Sequence, residues 1–147
     1  MRKPVVRGWI PERLRSDREG SELTRRQLAS SIGVSAQAIK LWETRDQAPL
    51  PSAYVKLCET FGRDRWHYAP IPVAQRTLQD YRTRSGYTLA QIAERIGISE
   101  ELVRQTELGH TDTMSGDQIA IWSAALGIPV TAWWSIYENG RATLVAQ

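Results

Sequence analysis

The sequence predicts an all-α fold built from two copies of one helical unit in tandem, with a short β-hairpin at its C-terminus. Three observations carry that expectation. Between Thr24 and Glu43, TRRQLASSIGVSAQAIKLWE, two short helices meet at a fixed turn. The pattern returns at an offset of 64, where YTLAQIAERIGISEELVRQTE runs from Tyr87 to Glu107. Near the end, SIYENGRATLV sets Asn139-Gly140 between two β-favouring runs, a hairpin signal of the type I′ kind.

Taken in order, residues 1–9 read as a basic arm, with Arg2, Lys3 and Arg7 positive and Pro4 discouraging helix. The stretch is either a disordered terminus or an arm that reaches phosphates or a minor groove. Pro11 suits the first turn of a helix running to about Glu19, with Leu14 inside and Arg13, Arg15 and Arg18 outside. Gly20 and Ser21 break it. Thr24 and Gln27 then form a capping box that starts the next helix, where Leu28, Ala29 and Ile32 make the apolar face. Small Ala29 sits where a second helix must come close. Gly33 ends this helix by adopting positive φ without a Cβ penalty.

Ser35 can cap the following helix. Its Ile39 and Trp42 face inward, leaving Ala36, Gln37, Lys40 and Leu41 on the other side, where they can enter a groove. Any αα-hairpin would show the same local pattern. Residues 45–52, RDQAPLPS, read as a loop because of their two prolines. Ser52 can cap a closing helix that uses Ala53, Val55, Leu57, Cys58 and Phe61 and stops at Gly62.

His67 to Val73, HYAPIPV, is a stiff linker or a packed connection, and a new helix starts near Val73. Leu14, Arg18 and Ser21 match Leu78, Arg82 and Ser85, while Phe61-Gly62 is echoed by Leu126-Gly127 with one residue inserted. A repeat of this period means two copies of one supersecondary unit. The domains expected are an arm at 1–9, a first unit at 10–67, a linker at 68–72, a second unit at 73–134 and a hairpin or tail at 135–147. Glu138 and Arg141 would flank the hairpin turn as an opposite-charge pair. A lone hairpin is marginal in water, so Trp133, Trp134, Ile136 and Tyr137 supply area either for packing on the helices or for a dimer contact.

Composition narrows the function. The single Cys58 forms no intramolecular disulfide and reads as a buried, inert thiol. With only His67 and His110 no metal-ligand cluster forms, and no nucleophile with its base can be nominated, so an enzyme is not expected. No cofactor and no small-molecule ligand is evident. The sequence shows no bilayer-length apolar run and no signal-peptide core, so a cytoplasmic protein without membrane partners is expected. Net charge is +3, unevenly spread: residues 1–67 hold thirteen Lys/Arg against eight Asp/Glu, and residues 68–147 hold six against eight. The positive field belongs to the first half.

The order T-x-x-Q-L-A, I-G-V-S, I-x-x-W-E closely resembles the Cro/CI repressor family, also called XRE-type helix-turn-helix domains, and the resemblance covers both halves. It implies two lambda-repressor-like domains in a phage or bacterial regulator that works in the bacterial host cell. In such domains the third helix lies in the major groove. Carried over, groove contacts fall on Ser35, Ala36, Gln37, Lys40 and Leu41, and backbone contacts on Arg25 with Gln27.

The side-chain chemistry agrees with that carry-over. Gln37 can pair bidentately with adenine, Ala36 and Leu41 can meet a thymine methyl, and Lys40 can reach guanine or phosphate, each good pair discriminating by ~1–3 kcal/mol. Arg25, Arg26 and Arg45 can neutralise phosphates. The second copy departs from the pattern: Leu89 stands where Arg25 does, and Glu100 and Glu101 take the first exposed groove positions. Ser99, Glu101, Arg104 and Gln105 remain candidate readers, since glutamate can accept from cytosine N4.

The function expected is sequence-specific binding of double-stranded operator DNA by a transcriptional repressor, as a homodimer, with the helix Ser35 to Glu43 in the major groove. The second domain would read an adjacent sub-site or mediate dimerisation. The alternative is an antitoxin or other protein-interaction module that also autoregulates its promoter.

Overall fold

A computed structural model describes residues 6–45 and 47–146, with side chains described as far as Thr143. The chain divides into two compact units, residues 1–71 and 72–147. Among the described residues the regular structure is entirely helical.

The first unit holds α1 (Pro11–Gly20), α2 (Arg25–Ile32), α3 (Ala36–Thr44) and α4 (Pro51–Phe61). Pro11 and Pro51 each open a helix at its first turn, where a missing N–H costs nothing. The expected cap at Ser52 is not used: Leu50 is the N-cap, and Ser52 lies inside α4. Thr24 and Gln27 form the full capping box, and Gly33 takes φ +79° to end α2. Leu14, Leu28, Ile39, Tyr54, Leu57 and Tyr68 are buried together as the core.

The ends of this unit depart from the simple pattern. Of the arm expected at 1–9, residues 1–5 fall outside those described, so Arg2 and Lys3 do too. Arg7 is exposed, whereas Val6 and Trp9 are buried in the core. Trp9 packs on Tyr54 and Tyr68, with ring centroids 6.1 and 5.9 Å away. Tyr68, Ala69 and Ile71 are buried as well, so most of the expected linker is packed connection. The Ile10 amide donates to the Tyr68 carbonyl at 2.8 Å and fastens one edge to the other.

The second unit begins with a short 3-10 helix, Val73–Gln75, where a full helix was expected. Five helices follow: α5 (Leu78–Arg84), α6 (Leu89–Ile96), α7 (Glu100–Glu107), α8 (Gly116–Leu126) and α9 (Val130–Ala146). Capping boxes start α5, α6 and α8, at Thr77, Thr88 and Ser115.

The C-terminal hairpin expectation is overturned, because α9 runs unbroken through Asn139-Gly140. The reason is periodicity. A strand would send Ile136 and Tyr137 to opposite faces, whereas a helix places Trp133, Ile136, Tyr137 and Gly140 on one face. Trp133, Ile136 and Tyr137 are all buried in the core with Ile92, Val103 and Trp122. Burial of each such side chain stabilises by roughly 1.5–3 kcal/mol, which exceeds the 0.2–1 kcal/mol of a cross-strand pair. Gly140 sits against the Glu107 carbonyl, where a Cβ would lie 2.7 Å from its oxygen. The Asn139 amide donates to the Arg76 carbonyl at 2.8 Å. Glu138 and Arg141 do meet, at 3.7 Å, as an i,i+3 pair along the helix.

Candidate nucleic-acid interface

In the first unit α3 packs against α1 and α2 and leaves its outer side exposed. Ser35 caps it by accepting from the Ala38 amide, which fixes where the helix starts relative to the Gly33 turn. Ile39 and Trp42 are buried, while Ser35, Ala36, Gln37 and Lys40 are exposed and Leu41 is half-buried. The groove-facing row expected from the sequence therefore lies on one outward side. At the far end, Trp9 Nε1 donates to the Trp42 carbonyl at 2.9 Å, satisfying a carbonyl that the last helical turn leaves open. Trp9 was not singled out from sequence; a tryptophan inside a basic stretch was the available signal.

A buried ion-pair network pins α3 to the rest of the unit. Arg18, expected on the outer face of α1, is instead buried, and its Nε and Nη2 donate to both Glu43 carboxylate oxygens at 2.6 and 2.9 Å. Its Nη1 donates to the Leu23 carbonyl at 2.8 Å. A buried arginine needs such a full set of acceptors, and the partner that supplies most of them lies 25 residues away. The Arg25 Nε joins the same carboxylate at 3.0 Å. Burial pushes the Glu43 carboxyl up, but the hydrogen bonds from Arg18 and Arg25 outweigh it and hold the group below the ordinary glutamate range.

The remaining expected phosphate contacts lie close to this network in the sequence. Arg26 is exposed at the head of α2, and Arg45 is exposed just past α3. Gln27 is exposed too, and its Oε1 accepts from the Thr24 amide, leaving the NH2 end able to donate outward. On the other side of α1, Asp17 ties the unit's ends together. It accepts from Arg63 at 2.9 and 3.1 Å and from the Tyr68 hydroxyl at 2.5 Å. Burial again pushes this carboxyl up, and the Arg63 and Tyr68 donors bring it below its ordinary value.

The second unit keeps the frame and changes the face. Arg82 repeats Arg18: it donates to both Glu107 oxygens at 2.6 and 3.2 Å and to the Tyr87 carbonyl at 3.0 Å. Leu89 replaces Arg25 and packs against the core. Glu107 thus has one guanidinium in place of two, and burial pushes its carboxyl up.

Outside, the candidate readers engage one another. Arg104 Nη2 donates to Glu101 at 2.6 and 2.7 Å, and Gln105 Nε2 donates to the same carboxylate at 2.6 Å. His110 Nδ1 lies 2.6 Å from Gln105 Oε1, and Ser99 is occupied as the cap of α7. Of the four residues offered for a dimer contact, Trp133, Ile136 and Tyr137 are buried in their own unit; Trp134, 42% exposed, faces outward.

Among the described residues no group of three or more His, Cys, Asp or Glu side chains is placed to hold a metal ion. No single helix among them is long and apolar enough to cross a membrane.

Residues 14–65 match a helix-turn-helix family model, from Leu14 in α1 to just beyond α4. No curated protein matches the chain. The match supports an XRE-type, DNA-binding transcription regulator, and its span is the unit whose α3 presents an open, uncharged-to-basic row.

Proposed function

We propose that the chain is a sequence-specific repressor that inserts α3, from Ser35 to Glu43, into the major groove of an operator. The observation that carries this reading is the division of α3. Its inner side is immobilised by Ile39, Trp42 and the Arg18–Glu43 pair, and its outer side presents Ala36, Gln37 and Lys40 to solvent. A rigid helix with an exposed row of donors and methyl groups meets what base-edge readout requires. Arg25, Arg26, Gln27 and Arg45 would supply backbone contacts, with Arg2, Lys3 and Arg7 adding to them from the N-terminal segment.

The second unit would serve assembly and not base reading. Its α7 face presents Glu100 and Glu101, and Arg104 and Gln105 are already bonded to Glu101, so a phosphate-lined groove gains little from them. A homodimer would bring two copies of the first unit to half-sites about 34–36 Å apart.

Selection of bound duplexes from random DNA tests the reading. Enrichment of a palindrome is expected, and Gln37→Ala should relax preference at particular positions, whereas Arg26→Ala should weaken binding to all sequences alike. Absence of enrichment, or equal losses on every site from both variants, would count against the groove assignment.

A further inference from the structure

Glu43 has a second arginine partner that the fold does not require. The pair formed by Arg82 and Glu107 has the same bidentate geometry as Arg18 and Glu43, and it stands complete with Leu89 in the third position. The Arg25 guanidinium on Glu43 is therefore an addition to a frame that closes without it. Its geometry suits a task at the surface. Nε is bonded to Glu43 Oε1 at 3.0 Å, the Glu43 side chain is fully buried, and the Arg25 side chain remains 31% exposed. Glu43 itself cannot swing, since Arg18 holds both of its oxygens.

We infer that Glu43 is a positioning residue for DNA binding: its carboxylate holds Arg25 by Nε at the head of α2 and leaves the Nη groups for a phosphate. A guanidinium can serve both sides at once because it is a planar fork with five donors; a lysine ammonium is a single point of charge. Holding the fork in advance also removes rotamer freedom that docking would otherwise have to remove. This inference rests on the DNA-binding reading above.

The test uses the full chain and a random-sequence duplex, with affinity measured over a salt series. Arg25→Ala should lower the slope of log K against log salt by about 0.9, and binding at physiological salt should weaken about fivefold, the equivalent of one phosphate contact. Arg25→Lys, which keeps the charge, should fall to the same level. Glu43→Gln, with its fold checked by near-UV circular dichroism, should lower the slope equally, and combining it with Arg25→Ala should lower it no further.

Arg25→Lys with the parent slope and affinity would overturn the inference, as would a folded Glu43→Gln with the parent slope. Should Glu43→Gln fail to fold, Arg25→Lys decides alone. A parent chain that binds duplex with no salt slope would sink the DNA-binding reading, and this inference with it. A steep parent slope left unchanged by Arg25→Ala would overturn only the role given to Arg25.

Discussion

Gly140→Ala sets two effects of opposite sign against each other, and the structure decides between them. Inside a helix, replacing glycine by alanine ordinarily stabilises by about 1 kcal/mol. Here the new Cβ would stand 2.7 Å from the Glu107 carbonyl oxygen, a backbone atom that cannot rotate away. Carbon and oxygen in ordinary contact are about 3.3–3.6 Å apart, so α9 must retreat by about 0.6–0.9 Å. That retreat loosens Trp133, Ile136 and Tyr137 along the same face, and a gap of this size forfeits about a quarter to a half of each dispersion contact.

Overpacking of this kind costs about 1–3 kcal/mol, so the net expectation is destabilisation by up to about 2 kcal/mol once the helix-propensity gain is subtracted. For a unit of this size that lowers its melting midpoint by up to roughly 16 °C. Urea denaturation followed by amide NMR of α7 and α9 isolates the second unit's transition. Gly116→Ala is the control: it opens α8 with no heavy atom within 4 Å of an added Cβ, and should be neutral or slightly stabilising. A Gly140→Ala chain more stable than its parent, showing the helix-propensity gain undiminished, would refute the close-approach argument.

The two units should also part company in acid. Because Glu43 and Asp17 lie below their unfolded values, the unfolded chain binds more protons between the folded and unfolded pKa; their stabilisation is full above about pH 4.3 and is lost as pH falls through the folded values. The raised Glu107 has the opposite sign, its contribution falling as pH rises from about 4.3 toward its folded value. Urea midpoints resolved by unit should therefore fall more steeply in acid for the first, and parallel falls would contradict the assignment. On the binding side, replacing Glu100 and Glu101 together by alanine should leave the operator footprint unshortened, whereas a shorter protected region would give α7 a direct role on DNA.

What was legible in the sequence was local. Thr24 with Gln27, Gly33, and Ser35 each act within one turn of the chain, so their residue types alone announce the helix ends, and all three do what their spacing implies. Ile39 and Trp42 were legible because an inward stripe needs only helical periodicity. Arg18 was not, since charge argues for exposure and its acceptor lies far along the chain. The signal was nevertheless present: an Arg and a Glu recur together at 18/43 and 82/107, a conjunction that surface residues have no reason to keep.

Asn139-Gly140 failed for the complementary reason. As a dipeptide it favours a turn by a small local preference, whereas the glycine's actual use is to let α9 approach the end of α7. Trp133, Ile136, Tyr137 and Gly140 at helical spacing were the better guide. The row proposed to face DNA was legible by subtraction, as what remained after the core positions were taken.

The repeated Arg–Glu pair bears on how the chain finds its native state. Arg18 and Glu43 are 25 residues apart, as are Arg82 and Glu107, so a half-folded chain holds two equivalent donors and two equivalent acceptors. A crossed pair of Glu43 with Arg82 would close a segment of only 39 residues. Loop entropy barely discriminates against it, since even a doubling of length costs about 0.6 kcal/mol. Chains of two similar units are prone to this kind of misassembly. The two units differ at Arg25, which joins only Glu43, and at α9, whose Gly140 lies against Glu107, so the crossed pair would lack both contacts. Divergence between the two units would thus disfavour intramolecular swapping, quite apart from anything either surface binds.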